Sequence, residues 1–139
     1  MDESPAVRIE CLTIDCQDPE RLAAFWSALL DYEPRESFTA SVRIGPSSGA
    51  GADLLFAPGA VPKAAKNRLH LDLRPTDRQG AVARALDLGA RVLAGHEPAS
   101  PWTVLADPEG NEFCVLQSET DHAVFAARAR AGGPTVPSS

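Results

Sequence analysis

The sequence predicts an α+β fold made of two tandem βαβββ modules, and three observations carry that expectation. First, the chain repeats itself at an interval of 59 residues. Cys11 falls opposite His70, Asp18 opposite Asp77, Gly51 opposite Gly110, Asp53 opposite Glu112 and Leu55 opposite Cys114. Second, each copy opens with a strand pattern that runs into an amphipathic helix. Third, three further strand signals follow each helix. A repeat of this length is one supersecondary unit too small to bury its own apolar face, so two copies share an interior where a ligand can sit.

The elements follow in order. Val7 to Cys16 is rich in β-branched residues, and Asp18-Pro19-Glu20 then supplies an N-cap, a proline for the first helical position and an acid for the first turn. Leu22, Phe25, Trp26 and Leu29 recur at i, i+3, i+4 and i+7, one apolar stripe of a helix ending near Asp31-Tyr32. Strand signals follow at Glu36 to Ala40, Ser41 to Gly45 and, after the loop Pro46 to Gly51, Ala52 to Ala57.

The second copy starts with an alternating strand, Arg68 to Arg74. Its helix spans Asp77 to Leu88 with Ala81, Val82, Ala85 and Leu86 inward, and Gly89 stands at the left-handed C-cap. The last strands are Ala90 to Ala94, Trp102 to Ala106 and Asn111 to Gln117, the final pair joined by the turn Asp107-Pro108-Glu109-Gly110. The reading is therefore a single domain over 7–117, built from a module at 7–57 and a module at 68–117. Residues 58–67 form a linker and 118–139 a polar C-terminal tail, disordered from Ala131 onward.

Composition excludes several classes of function. The 139 residues are 44% apolar and 23% charged, ordinary values for a globular chain with one core. Net charge is −6 and the 13 basic residues are scattered, so the basic footprint needed for nucleic acid is missing. No apolar run approaches the roughly 20 residues that span a bilayer, and the start Met1-Asp2-Glu3-Ser4 is acidic where a signal peptide is basic. A cytoplasmic protein without nucleic-acid or membrane partners is expected. Three cysteines without a secretory signal argue for reduced thiols, and Cys11 and Cys16, at odd spacing on one strand, are poor disulfide partners.

Three stretches carry a family resemblance: Asp18-Pro19-Glu20-Arg21-Leu22-Ala23-Ala24-Phe25-Trp26, Lys66-Asn67-Arg68-Leu69-His70-Leu71-Asp72-Leu73 and Asp107-Pro108-Glu109-Gly110-Asn111-Glu112-Phe113. Through them the chain resembles the vicinal oxygen chelate superfamily, and within it the small bacterial glyoxalase-like and bleomycin-resistance-like proteins. The resemblance implies that the modules curl into a cupped mixed sheet with the helices on its outer face. It also implies ligands for a divalent metal on the first and last strand of each module, which map to Cys11, Leu55, His70 and Cys114. Family members using a metal place histidine or glutamate there. This chain departs at three of the four positions, and Leu55 has no donor atom.

Strand alternation independently sends Leu12, Ile14 and Cys16 beneath the first helix and Cys11, Thr13 and Asp15 to the opposite face. The same division puts Leu69, Leu71 and Leu73 in the core and His70, Asp72 and Arg74 on the cup side. In the last strand Phe113 and Val115 turn inward while Glu112 and Cys114 face the cup. One reading is metal-free acid–base chemistry at His70, oriented by Asp72 or Asp15, with Glu112 or Asp53 nearer the mouth. No cofactor is needed for it. A second is a zinc-like site of Cys11, His70 and Cys114 with an open fourth position. A third makes Cys11 or Cys114 a nucleophile activated by His70.

Thr13, Asp15, Asp53, Arg74 and Trp102 complete the expected ligand contacts, with Trp102 able to floor an apolar group. Trp26 belongs to the core, His96 to a solvated loop and His122 to the surface. The alternatives for His70 and Asp72 are structural: a hydrogen bond in a polar interior, and a pair with Arg74 or Arg68. Two functional classes follow. One is an isomerase- or lyase-type enzyme abstracting a proton beside a carbonyl of a small oxygenated molecule; the other is a sequestration protein that holds such a molecule unchanged. Pairing of exposed sheet edges into a homodimer is expected of so small a domain.

Overall fold

A computed structural model describes residues 6–48 and 51–132. The acidic start, Gly49-Ala50 of the first long loop and tail residues 133–139 lie outside the described residues. The chain divides into two compact units, Met1–Pro62 and Lys63–Ser139, and the division falls inside the stretch read as linker.

The first unit runs β1 (Leu12–Cys16), α1 (Pro19–Leu30), β2 (Tyr32–Arg35), β3 (Val42–Pro46) and β4 (Leu54–Pro58), with sheet order β1-β4-β3-β2. β1 lies parallel to β4 with Thr13 opposite Leu55, and the other pairings are antiparallel. The Asp18 carboxylate caps α1 by accepting from the Arg21 amide at 3.2 Å, and Pro19 occupies the start of the helix, where its missing N–H is not needed. α1 buries Leu22, Ala23, Phe25 and Trp26. With Cys16, Ile44, Leu54 and Phe56 they form the apolar interior of this unit, where Phe25 and Trp26 meet edge to face at 5.2 Å.

The first unit departs from the sequence expectation at two places. Val7 and Ile9, read as strand, are 85% and 77% exposed, and β1 begins only at Leu12. The strand expected at Glu36 to Ala40 lies instead at Tyr32–Arg35. Asp31 ends α1 in the left-handed conformation, φ 55°, and turns the chain directly into β2. Thr39, at φ 56°, interrupts the predicted strand. β2 contains Pro34, which a sheet tolerates because β2 is an edge strand.

The second unit runs β5 (Asp72–Leu73), α2 (Arg78–Asp87), β6 (Arg91–Ala94), β7 (Trp102–Ala106), β8 (Glu112–Leu116) and α3 (Glu119–Arg130). Its sheet order, β5-β8-β7-β6, copies that of the first unit, and β5 is likewise parallel to β8. The repeat survives in register: Asp72 pairs with Cys114 as Thr13 pairs with Leu55, each 59 residues on. Val82, Ala85, Leu105, Phe113 and Val115 form its interior. The Asp107 carboxylate, 4% exposed, fastens the turn before β8 by accepting from the Glu109 and Asn111 amides at 2.9 and 3.0 Å.

Three expectations are corrected here. β5 is two residues long where seven were read, so Leu69, preceding the ladder, is 74% exposed and not in the core. Leu86 is 39% exposed, because the buried stripe of α2 narrows to Val82 and Ala85. The described part of the stretch read as a polar tail holds a helix: Ser118 caps α3 by accepting from the Asp121 amide at 3.1 Å. Acids fill its first turn and Arg128 and Arg130 its last, the charge order a helix dipole favours. α3 buries no residue, so no apolar period announced it.

Candidate functional site

In the second unit the backbone brings three predicted side chains together. β5 and β8 set Asp72 beside Cys114, and the Cys114 amide donates to the Leu71 carbonyl at 2.9 Å. His70 sits just before β5, with its Nδ1 2.8 Å from Asp72 Oδ1. A ligand atom from each of His70, Asp72 and Cys114 falls within 4.8 Å of the others. Of the partners the sequence allowed Asp72, the structure gives it His70 and not Arg74 or Arg68. Arg74 donates from Nη1 to the Gln117 carbonyl at 2.8 Å.

These residues border a concavity of about 290 Å³, which Arg74, Trp102 and Leu116 also line. α3 adds His122 and Phe125. Neither was anticipated as a site residue, and His122 was read as surface. The signal was present as a histidine beside an acid, but assigning 118–139 to a tail removed the helix that carries it. His96 lines a separate concavity of about 620 Å³ with Asp77, Arg78 and Asp121, and the chemistry-bearing cluster is not there.

Burial dominates the electrostatics of Cys114. The side chain is 7% exposed, and desolvation, reinforced by the Asp72 charge and hydrogen bond, pushes its thiol up to about 11. At neutral pH it is a neutral wall rather than a thiolate nucleophile. Glu112, expected in the acid–base group, is committed elsewhere. Its carboxylate pairs with Lys63 Nζ at 2.9 Å and accepts from the Asn67 amide at 3.0 Å. Burial raises its pKa, but the Asn67 and Lys63 hydrogen bonds outweigh this and hold it below the ordinary carboxylate value.

The remaining predicted residues lie in the first unit. Thr13 and Asp15 are exposed on β1, and Cys11 Sγ stands 3.8 Å from Thr13 Oγ1. Asp53 is not a free mouth carboxylate: its Oδ2 pairs with Arg43 Nε at 3.0 Å, and Arg43 reaches Glu10 at 3.2 Å. Gly45 makes room for that pairing, since a Cβ there would collide with Asp53 Oδ1. Among the described residues, the group able to hold a metal is His70, Asp72 and Cys114. Cys11 belongs to the other unit.

Comparison with known proteins defines the class. Residues 11–116 match the model of the glyoxalase-like domain, and the chain belongs to that family, within the vicinal oxygen chelate superfamily. By sequence, no curated protein matches it. Among solved structures it resembles a glyoxalase/bleomycin resistance protein/dioxygenase family enzyme from Burkholderia phytofirmans PsJN. That match has a TM-score of 0.60 and 19% identity, over 78% of this chain and 96% of that one. It also resembles an antibiotic binding protein from Streptomyces sp. CB03234, with TM-score 0.58 and 18% identity over 84% and 100% of the two chains. A third is the fosfomycin resistance protein FosX from Listeria monocytogenes complexed with Mn(II) and sulfate, with TM-score 0.64 and 11% identity over 91% and 99%. No helix of the described residues is long and apolar enough to cross a membrane.

Proposed function

We propose that the protein takes a small oxygenated organic molecule into the His70 concavity and acts on it by acid–base chemistry, as an isomerase- or lyase-type enzyme. One observation carries the reading: the 2.8 Å pairing of His70 Nδ1 with Asp72 Oδ1 at the edge of a concavity of about 290 Å³. A carboxylate accepting from Nδ1–H fixes the tautomer and leaves the Nε2 lone pair free as the base. It also stabilises the imidazolium that forms once a proton is taken. Arg74 and Trp102 supply a cation and an apolar face beside it. Antibiotic binding by a protein of the same fold makes ligand capture without turnover the competing outcome.

The test is a thermal-shift screen of small oxygenated compounds, followed by NMR of each hit incubated with the protein. Hits should be converted by the wild type and bound but unconverted by His70→Ala. Hits that remain unchanged with the wild type would make it a binding protein.

A metal-assisted variant of this reading rests on the convergence of His70, Asp72 and Cys114. Imidazole, carboxylate and sulfur suit zinc, with a position left for water or substrate, better than they suit manganese, which prefers oxygen donors. Cys114 would surrender its proton on binding and Asp72 would exchange the His70 N–H for the ion. Bound there, zinc would supply Lewis-acid polarisation of a substrate oxygen. The rest is the work of the chain: Arg74 and Trp102 hold the ligand.

A further inference from the structure

We infer that Asn67 and Glu112 are positioning residues for His70, forming a side-chain clamp that replaces the missing part of strand β5. The inference rests on His70 being the functional group of the site.

The segment before β5 has almost no ladder of its own, since β5 is only Asp72–Leu73. At the start of β8 the Asn67 amide takes the place of a neighbouring peptide unit. The Glu112 amide donates to Asn67 Oδ1 at 2.7 Å, and Asn67 Nδ2 donates to the Glu112 carbonyl at 3.3 Å. The pairing is reciprocal, because Glu112 Oε1 accepts from the Asn67 amide at 3.0 Å. Lys63 Nζ holds the same carboxylate at 2.9 Å. Asn67 Nδ2 also bonds the Leu69 carbonyl, so the chain is braced again one residue before His70.

Residues 68–71 are thus an arch with both feet on β8. One foot is the Asn67–Glu112 ring and the other is the Cys114 amide on the Leu71 carbonyl, continued by the β5–β8 pairing. His70 stands on this arch with its side chain 36% exposed, so packing alone does not hold it. Without the Asn67 foot, the arch would be tied at one end only. His70 could then leave Asp72, although both residues remained in the chain. Glu112 therefore acts through His70 rather than on a ligand.

The test is solution NMR of the full chain at one fixed pH, reading the His70 ring resonances and the hydrogen exchange of the Cys114 amide. In the wild type the ring should show one conformer with its Nδ1 proton hydrogen-bonded. Asn67→Ala and Glu112→Ala should average the ring signals toward those of an unrestrained histidine and speed exchange of the Cys114 amide about tenfold. Glu112→Gln keeps the Oε1 acceptor for Asn67 while losing the Lys63 ion pair, and should restore the single ring conformer. Should an alanine variant fail to fold, Asn67→Asp, which keeps the acceptor for the Glu112 amide but loses both Nδ2 bonds, should show the same loss of ring order.

A His70 ring and Cys114 amide unchanged in all these variants, whatever happens to the melting temperature, would overturn the clamp. Equal loss of ring order in Glu112→Gln and Glu112→Ala would also overturn it, by showing that bulk stability and not the pairing is read. The functional assignment fails separately, if His70→Ala binds and converts ligand as the wild type does.

Discussion

The two units share strand order, the register of their parallel strand pair and the position of the helix cap, yet among the described residues the group able to hold a metal lies in the second unit. Across the first sheet Thr13 stands opposite Leu55 and Leu55 opposite Arg43. Across the second, Asp72 stands opposite Cys114 and Cys114 opposite Val104. The row carries a hydroxyl, an alkyl group and a guanidinium in one copy and a carboxylate and a thiol beside an imidazole in the other. Repetition of a backbone therefore fixes where side chains can meet and leaves open which ones do. In the first unit the acids and guanidiniums neutralise each other through Arg43, Asp53 and Glu10, whereas in the second the His70–Asp72 pair borders a concavity.

The comparison breaks first, and most visibly, in the interior. Phe56 and Phe113 are 0% and 1% exposed on corresponding strands, so Phe56→Ala and Phe113→Ala should each cost about 3–5 kcal/mol by denaturant unfolding. Losses that differ by more than the spread of that class would mean the two units are not equal as folds.

Cys114 sharpens the contrast, because its counterpart Leu55 has nothing to ionise. The folded thiol is raised from 9.0 to about 11, so its contribution is fully present below pH 9 and is lost as pH rises toward 11. Wild type should therefore lose on the order of 2 kcal/mol more than Cys114→Ala across that window, read from urea midpoints at successive pH values. Parallel curves would show that burial does not hold the thiol neutral.

The caps give the smallest difference. Asp18 accepts from the Arg21 amide, while Asp77 makes no side-chain cap bond to α2. Asp18→Ala should cost about 1 kcal/mol in thermal melts and Asp77→Ala less than half of that. Equal effects would show that Asp77 caps α2 in solution as Asp18 caps α1.

Much of this architecture was legible in the residues because it rests on local signals. The cap at Asp18, the turn at Asp107–Gly110 and β7 at Trp102–Ala106 all lie where periodicity and turn chemistry put them. The pairing of His70, Asp72 and Cys114 was partly legible, because alternation set all three on one face. What stayed hidden depends on tertiary context. A left-handed Asp31 moved β2 forward onto an edge that accepts Pro34. α3 has no apolar stripe to read. The engagement of Glu112 by Lys63 and Asn67 joins residues 45 or more apart in sequence, and no pattern along the chain foretells it.

The boundary between the units has a consequence for how the polypeptide can be divided. Lys63, the first residue of the second unit, is already bound to Glu112, whereas Gly59 has open space around its α-carbon and the residues from Pro58 to Pro62 are largely exposed. A backbone opened between Gly59 and Pro62 would cut none of the strand pairings of either sheet and would leave the Lys63–Glu112 ion pair whole. Each half could then be expressed as a separate fragment carrying a complete four-stranded sheet.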